Sequence, residues 1–216
     1  MARCSRPLLH KNMHHSGNEL INPFKALERA GLRKGSHIAD LGCGALGHFV
    51  FPAAQMTGGE GRVYAVDIDK AALKAVERAA RHDQYWNVIP VWSDIDVVHA
   101  ARIQSGTIDL TILANNLYLS ANRSGMVEEA LRLTKPGGRI LVIEWKPIRT
   151  TIGPPVENRM SAEEAKRYFA VDELDLIDEY DAGDSHFALV YAKHEPMRET
   201  EVVSTHIPEE MEAAEE

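Results

Sequence analysis

The chain has 216 residues, 44% hydrophobic and 26% charged, which suits one globular domain with a sizeable core and excludes collagen-like, coiled-coil and wholly disordered chains. The net charge of −8 is unevenly placed: eight glutamates and one arginine between Glu195 and Glu216 carry −7, leaving −1 on the body, which speaks against nucleic acid as the main partner because phosphate contacts need a basic face. Two cysteines, Cys4 and Cys43, suggest neither a disulfide framework nor a paired-cysteine metal site, so no metal is expected.

Residues 1–17 are polar and His-rich and read as a flexible N-terminal arm. Within it His10 and His14 stand four apart, but without helical pattern or acidic partners they read as solvated. The opening stretch MARCSRPLLHKNMHH lacks the apolar core of a signal peptide, and no apolar run approaches the roughly 20 residues of a membrane span. The expected location is cytoplasmic.

Residues 18–194 alternate helix-like and strand-like segments and read as one domain. A helix is expected over Asn18–Gly31, anchored by Leu20, Ile21, Phe24 and Leu27. His37–Leu41 is a short apolar strand running into glycines, and Gly47–Met56 is helix-like if Pro52 falls in its first turn. Arg62–Asp67 is a strand ending in an acid. Asp69 is placed to cap an Ala-rich helix that continues to Arg81. Asn87–Trp92 reads as a strand, Asp96–Gln104 as a weak helix and Ile108–Ala114 as a buried strand. Asn122–Leu133 is a helix stopped by Lys135-Pro136-Gly137-Gly138, and Arg139–Trp145 is the strongest strand. Ser161 and Glu164 have capping-box spacing for a helix to Phe169. Leu174–Tyr180 and Phe187–Lys193, joined by Asp181-Ala182-Gly183-Asp184, suggest an antiparallel hairpin. Residues 195–216 form an acidic tail expected to be disordered. Apolar strands separated by helices imply a doubly wound, mostly parallel α/β sheet covered on both faces.

Ligands of such sheets bind beyond the carboxyl ends of the strands. There the chain places Asp40-Leu41-Gly42-Cys43-Gly44-Ala45-Leu46-Gly47, then Asp67-Ile68, Ser93-Asp94-Ile95 and Asn115-Asn116. Gly42 and Gly44 permit a sharp turn and close approach of a ligand. Asp67 is suited to accept hydrogen bonds from both hydroxyls of a ribose. These features fit any adenosine cofactor, NAD(P) included. Asp40 argues for a cationic group: it would repel a pyrophosphate and attract an ammonium. Asp94 is suited either to receive the adenine amine, between Ile68 and Ile95 as apolar walls, or to cap the following segment.

DLGCG (40–44), VYAVDID (63–69), WSDI (92–95), IDLTILANNLYL (108–119) and LTKPGGRILVIEW (133–145) together resemble the successive motifs of class I S-adenosylmethionine-dependent methyltransferases. The likeness covers residues 18–194, and Gly153-Pro154-Pro155 adds a flavour of the UbiE-like small-molecule C-methyltransferases. The resemblance implies a Rossmann-like seven-stranded sheet with the last strand antiparallel, S-adenosyl-L-methionine as cofactor and a small-molecule acceptor. It implies cofactor contacts at Asp40, Gly42, Gly44, Asp67, Ile68, Asp94, Ile95 and Asn115, with the Asn18–Gly31 helix as a lid over the methionine end. The third glycine, Gly47, stands one place later than the family's usual spacing, which keeps an NAD(P)-dependent oxidoreductase as the alternative. A macromolecule methyltransferase is a further one. An arsenite methyltransferase would need more cysteines, and the fourth-strand Asn115-Asn116-Leu117-Tyr118 lacks the prolines of the amine-methylating motif. Asn115, Asn116, Tyr118, His48, Glu144 and Trp145 are candidates near the methyl group, with His48 expected to be an exposed first-turn residue and no catalytic base assigned.

Overall fold

The computed structural model describes residues 20–195. The arm at 1–17 and nearly all of the acidic tail, with Cys4, His10 and His14, lie outside the described residues.

Seven strands form one sheet in the order β3-β2-β1-β4-β5-β7-β6. They are β1 (His37–Leu41), β2 (Arg62–Asp67), β3 (Val88–Trp92), β4 (Ile108–Ala114), β5 (Thr134–Trp145), β6 (Leu174–Asp181) and β7 (His186–Lys193). The β1–β5 neighbours pair in parallel, while β7 runs antiparallel to both β5 and β6. The expected Rossmann-like sheet with its antiparallel strand is therefore present. The strand order reverses between β1 and β4, which makes their carboxyl ends the switch point where such sheets bind ligands.

The helices are α1 (Pro23–Arg29), α2 (Val50–Thr57), α3 (Lys70–His82), α4 (Arg123–Leu133) and α5 (Ala162–Tyr168). Side chains of α1, α2 and α3 such as Leu27, Val50, Ala53 and Val76 bury one face of the sheet against Ile38, Ile112 and Ile143. The other face packs Ala39, Leu113 and Val142 on Met126, Ala130 and Phe169. Successive strand residues point to opposite faces, so the central strands read as unbroken apolar runs because both faces are covered.

Local chemistry sets the helix ends. Asn22 accepts from the Lys25 N–H, and Pro23 takes the first helical position, where its missing N–H costs nothing. The expected helix over Asn18–Gly31 thus starts only at Pro23. Asp69 caps α3 by accepting from the Ala71 N–H. Helix α2 starts at Val50 rather than Gly47, with turns carrying the chain through Phe49 and Pro52 still in its first turn. Ser161 and Glu164 form the capping box of α5. Ser161→Ala is expected to lower stability by about 0.5–2 kcal/mol, read as a reduced urea midpoint at constant m value.

One element departs from expectation. Residues 96–104 form turns and bends, not a helix. The buried Glu129 carboxylate of α4 accepts from the backbone N–H groups of His99 and Ala101, and Arg132 donates to the carbonyls of Ala101 and Ile103. Side chains of a neighbouring helix supply the partners that helical backbone would have supplied itself.

Candidate active site

The loop after β1 is tied to the end of β2. The Gly42 and Cys43 N–H groups donate to the Val66 carbonyl at 2.8 and 3.0 Å. Gly44 N–H donates to the Asp67 carboxylate at 2.8 Å, and its other oxygen accepts from Asp69 N–H at 2.8 Å. Gly42 has φ +74°, and a Cβ there would collide with the Asn116 side chain. Gly44 has φ +63°, and a Cβ there would project into open space. Backbone conformation and room beside the loop both favour glycine at these positions.

Asp40 is the penultimate residue of β1 and only 3% exposed. Burial, and next the neighbouring Asp67 charge, push its carboxyl up to about 7. No cationic side chain pairs with it among the described residues. Asp40, Gly42, Cys43, His48, Asn115 and Trp145 line a cavity of about 210 Å³, together with Leu20, Ile21, Phe49, Ala114 and His186. Asn115 has a left-handed backbone at φ +58°, and its buried Oδ1 has no hydrogen-bond partner. Strained or unpaired groups of this kind gather at ligand sites. His48 is a half-buried cavity residue, not the exposed first-turn residue expected, and its Nε2 is buried without a partner. Cys43 is buried in the loop, and burial raises its thiol pKa.

The ends of β2 and β3 make an adjoining ledge. Ile68 is 59% exposed and Trp92 58%, with the Trp92 Nε1–H donating to the Ile68 carbonyl at 2.8 Å. Lys70 Nζ stands 4.3 Å from the Trp92 ring centroid. Asp94 accepts from Asp96 N–H at 3.0 Å and caps a turn instead of a helix. Ile95 is half-buried against the core. Trp92 is an apolar surface that the sequence did not single out, although WSDI placed it beside the predicted acid.

Other candidates separate from the cavity. The Asn116 side chain donates to the carbonyls of Leu41 and Ala114 at 2.7 and 2.9 Å and braces the two strand ends. Glu144 is 1% exposed and accepts from Leu117 N–H at 2.6 Å, on the opposite sheet face from Trp145. Burial lifts its carboxyl to about 7 against the pull of backbone donors. Tyr118 lines a separate cleft of about 530 Å³ with Arg123, Arg159 and Tyr168. Among the described residues no group of three His, Cys, Asp or Glu side chains is arranged to hold a metal ion.

A family profile described as a methyltransferase domain matches residues 32–197. The chain belongs to that family. Ubiquinone/menaquinone biosynthesis C-methyltransferase UbiE of Idiomarina loihiensis is 30% identical over 129 residues, covering 58% of this chain and 49% of that protein. UbiE of Pseudoalteromonas translucida is also 30% identical, over 125 residues, covering 56% and 47%. A crystal structure of a SAM-dependent methyltransferase from Aquifex aeolicus superposes with a TM-score of 0.76 at 24% identity, covering 83% of this chain and 93% of that one. The sheet thus has the fold of that SAM-dependent methyltransferase, and the sequence is similar to the UbiE proteins. The chain spans about half the length of the curated relatives it matches.

Proposed function

We propose that this methyltransferase moves a methyl group from S-adenosylmethionine to a small-molecule acceptor held above the ends of β4, β5 and β7. The observation that carries the reading is Asp40, a buried carboxyl lining the cavity with no cationic side chain paired to it among the described residues. An ammonium would complete it, whereas the pyrophosphate of NAD(P) would be repelled. The unpaired Asn115 Oδ1 supplies a second acceptor for that ammonium. Gly42 and Gly44 leave the backbone open to the amino-acid tail, and Asp67 accepts from the ribose. Ile68, Ile95 and Trp92 offer apolar contact to the adenine ring, with Asp94 receiving its amine.

When bound, the cofactor supplies an electrophilic methyl on a sulfonium that is already a good leaving group. The chain's task is alignment, and fixing two partners in line lowers a barrier by roughly 7–11 kcal/mol at best. Leu20 and Ile21 add apolar lining to the cavity. The acceptor is proposed to be a small molecule because the UbiE relatives are named for quinone biosynthesis. No helix of the described residues is long and apolar enough to cross a membrane.

Calorimetric titration tests the reading. Saturable binding of S-adenosylhomocysteine with no binding of NADH is expected, and the reverse pattern would overturn it. Asp67→Ala removes a charged acceptor and releases the Gly44 and Asp69 amides. It should weaken S-adenosylhomocysteine by about 1.5–3 kcal/mol, roughly 10- to 150-fold. Unchanged affinity would remove Asp67 from the site.

A further inference from the structure

His186 opens β7 directly opposite Trp145 of β5, and the two rings lie 4.0 Å apart between centroids. The residue is 0% exposed, and neither ring nitrogen has a hydrogen-bond partner. It lines the same cavity as Asp40 and Asn115. Across the cavity, His48 Nε2 is likewise buried and unpartnered. Of the seven buried side-chain atoms without a partner among the described residues, four belong to residues of this cavity, namely both His186 nitrogens, His48 Nε2 and Asn115 Oδ1, and the other three are on Glu144, Tyr180 and Tyr191. A buried donor or acceptor left unmet is costly, so four such atoms on residues lining one cavity suit a visiting polar ligand.

The ring is kept uncharged. Burial, and then the positive charges of Arg159, His48 and Lys146, pull its pKa down to about 4. A neutral imidazole does not repel a sulfonium beside it, and it retains one nitrogen able to take a proton. Such a group serves an acceptor that must lose hydrogen as it gains the methyl.

On the methyl-transfer reading above, we propose that His186 takes the proton of the methyl acceptor, an acidic hydroxyl of the phenol or enol type, with His48 bonding the same oxygen. In the step, the O–H bond breaks and its proton passes to the imidazole nitrogen. The electron pair of the oxygen, or of the carbon conjugated to it, forms the bond to the methyl carbon. The bond from methyl to sulfur breaks, and its pair stays on sulfur. One positive charge disappears at sulfur as another arises on the ring, so the two cations need not coexist in the small cavity. Leu20 and Ile21 line the same cavity.

The test uses the full chain labelled with [15N-imidazole]histidine, saturated with S-adenosylhomocysteine and titrated with 4-nitrophenol. The unprotonated nitrogen of His186 is expected to shift as it accepts a hydrogen bond from the phenol, and the shift to saturate. His186→Phe keeps a ring against Trp145 and removes both nitrogens. It should weaken 4-nitrophenol at least tenfold with S-adenosylhomocysteine affinity held within threefold, and His186→Gln, which keeps an acceptor oxygen, should recover part of the loss. A His186 resonance that stays put to millimolar phenol, or a Phe variant that binds the phenol like the wild type, overturns the assignment. Failure of S-adenosylhomocysteine to bind at all would instead sink the methyl-transfer reading beneath it. The resonance measurement needs no variant, so the proposal remains exposed even if a substitution fails to fold.

Discussion

Asp40→Asn is expected to give a protein that is more stable without cofactor and a poorer binder with it. The Asp40 carboxyl sits near 7 in the fold against an ordinary value of 3.8, first because it is buried and second because Asp67 is close. A folded-state value above the unfolded one means that folding favours the protonated acid. The contribution of Asp40 to stability is therefore most favourable below pH 4, declines as the pH climbs from about 4 to about 7, and is a constant penalty above that. An uncharged amide of the same shape removes the penalty. At pH 8 the variant should melt higher than the wild type, and near pH 4 the two should converge. Binding should move the other way. Loss of a charged partner for an ammonium should cost about 1.5–3 kcal/mol of S-adenosylhomocysteine affinity. Wild-type affinity should also rise between pH 5 and about 7 as the acid ionises, while the variant's stays level. Scanning calorimetry and titration across pH check both halves. Equal melting at pH 8, or full affinity in the variant, would remove Asp40 from its proposed role. The pair of effects is what a site held at the expense of stability predicts.

What was legible in the sequence follows from how local each signal is. The bounds of β1, β2 and β4 coincide with their apolar runs because each run is closed by glycine, an acid or asparagine. Asp69 and Ser161 were readable as caps because a cap is settled within three residues. The glycine loop and the acid of β2 were readable for the same reason. His186 was not. A single histidine at the head of a strand has no period, and only the antiparallel register of β5 and β7 sets it against Trp145. Glu144 shows the same limit from the other side. It neighbours Trp145 in sequence, yet alternation along the strand turns it to the opposite face, and nothing local says which of the two looks into the cavity.

The segment at 96–104 is the case where non-local chemistry overrode a local pattern, and it yields the largest stability effect expected. Glu129 is 0% exposed and accepts from His99 and Ala101 N–H at 2.8 and 3.2 Å and from Arg132 at 2.7 and 2.8 Å. Burial pushes its pKa up, but Arg132 and the two backbone donors outweigh burial and hold it below the ordinary carboxylate value. The charge is therefore present and paired. Glu129→Ala would strand the Arg132 guanidinium, itself largely buried, and leave two backbone donors unmet. Breaking such a pair from one side costs about 3–5 kcal/mol, so a comparable fall in unfolding free energy is expected at pH 7. Glu129→Gln keeps an acceptor and should lose less. A depressed folded-state value means that the stabilisation is complete above the unfolded glutamate pKa and is lost as pH falls through the folded one, so wild type and variant should draw together in acid. Urea unfolding at pH 7 and pH 3 measures this. Faster hydrogen exchange at His99 and Ala101 would locate the damage, and a loss under about 1 kcal/mol would contradict the account. Because the segment leads from Asp94 and Ile95 back to β4, the same substitution should loosen the ledge proposed for adenine, which makes Glu129 a residue that reaches the site only through the backbone it holds.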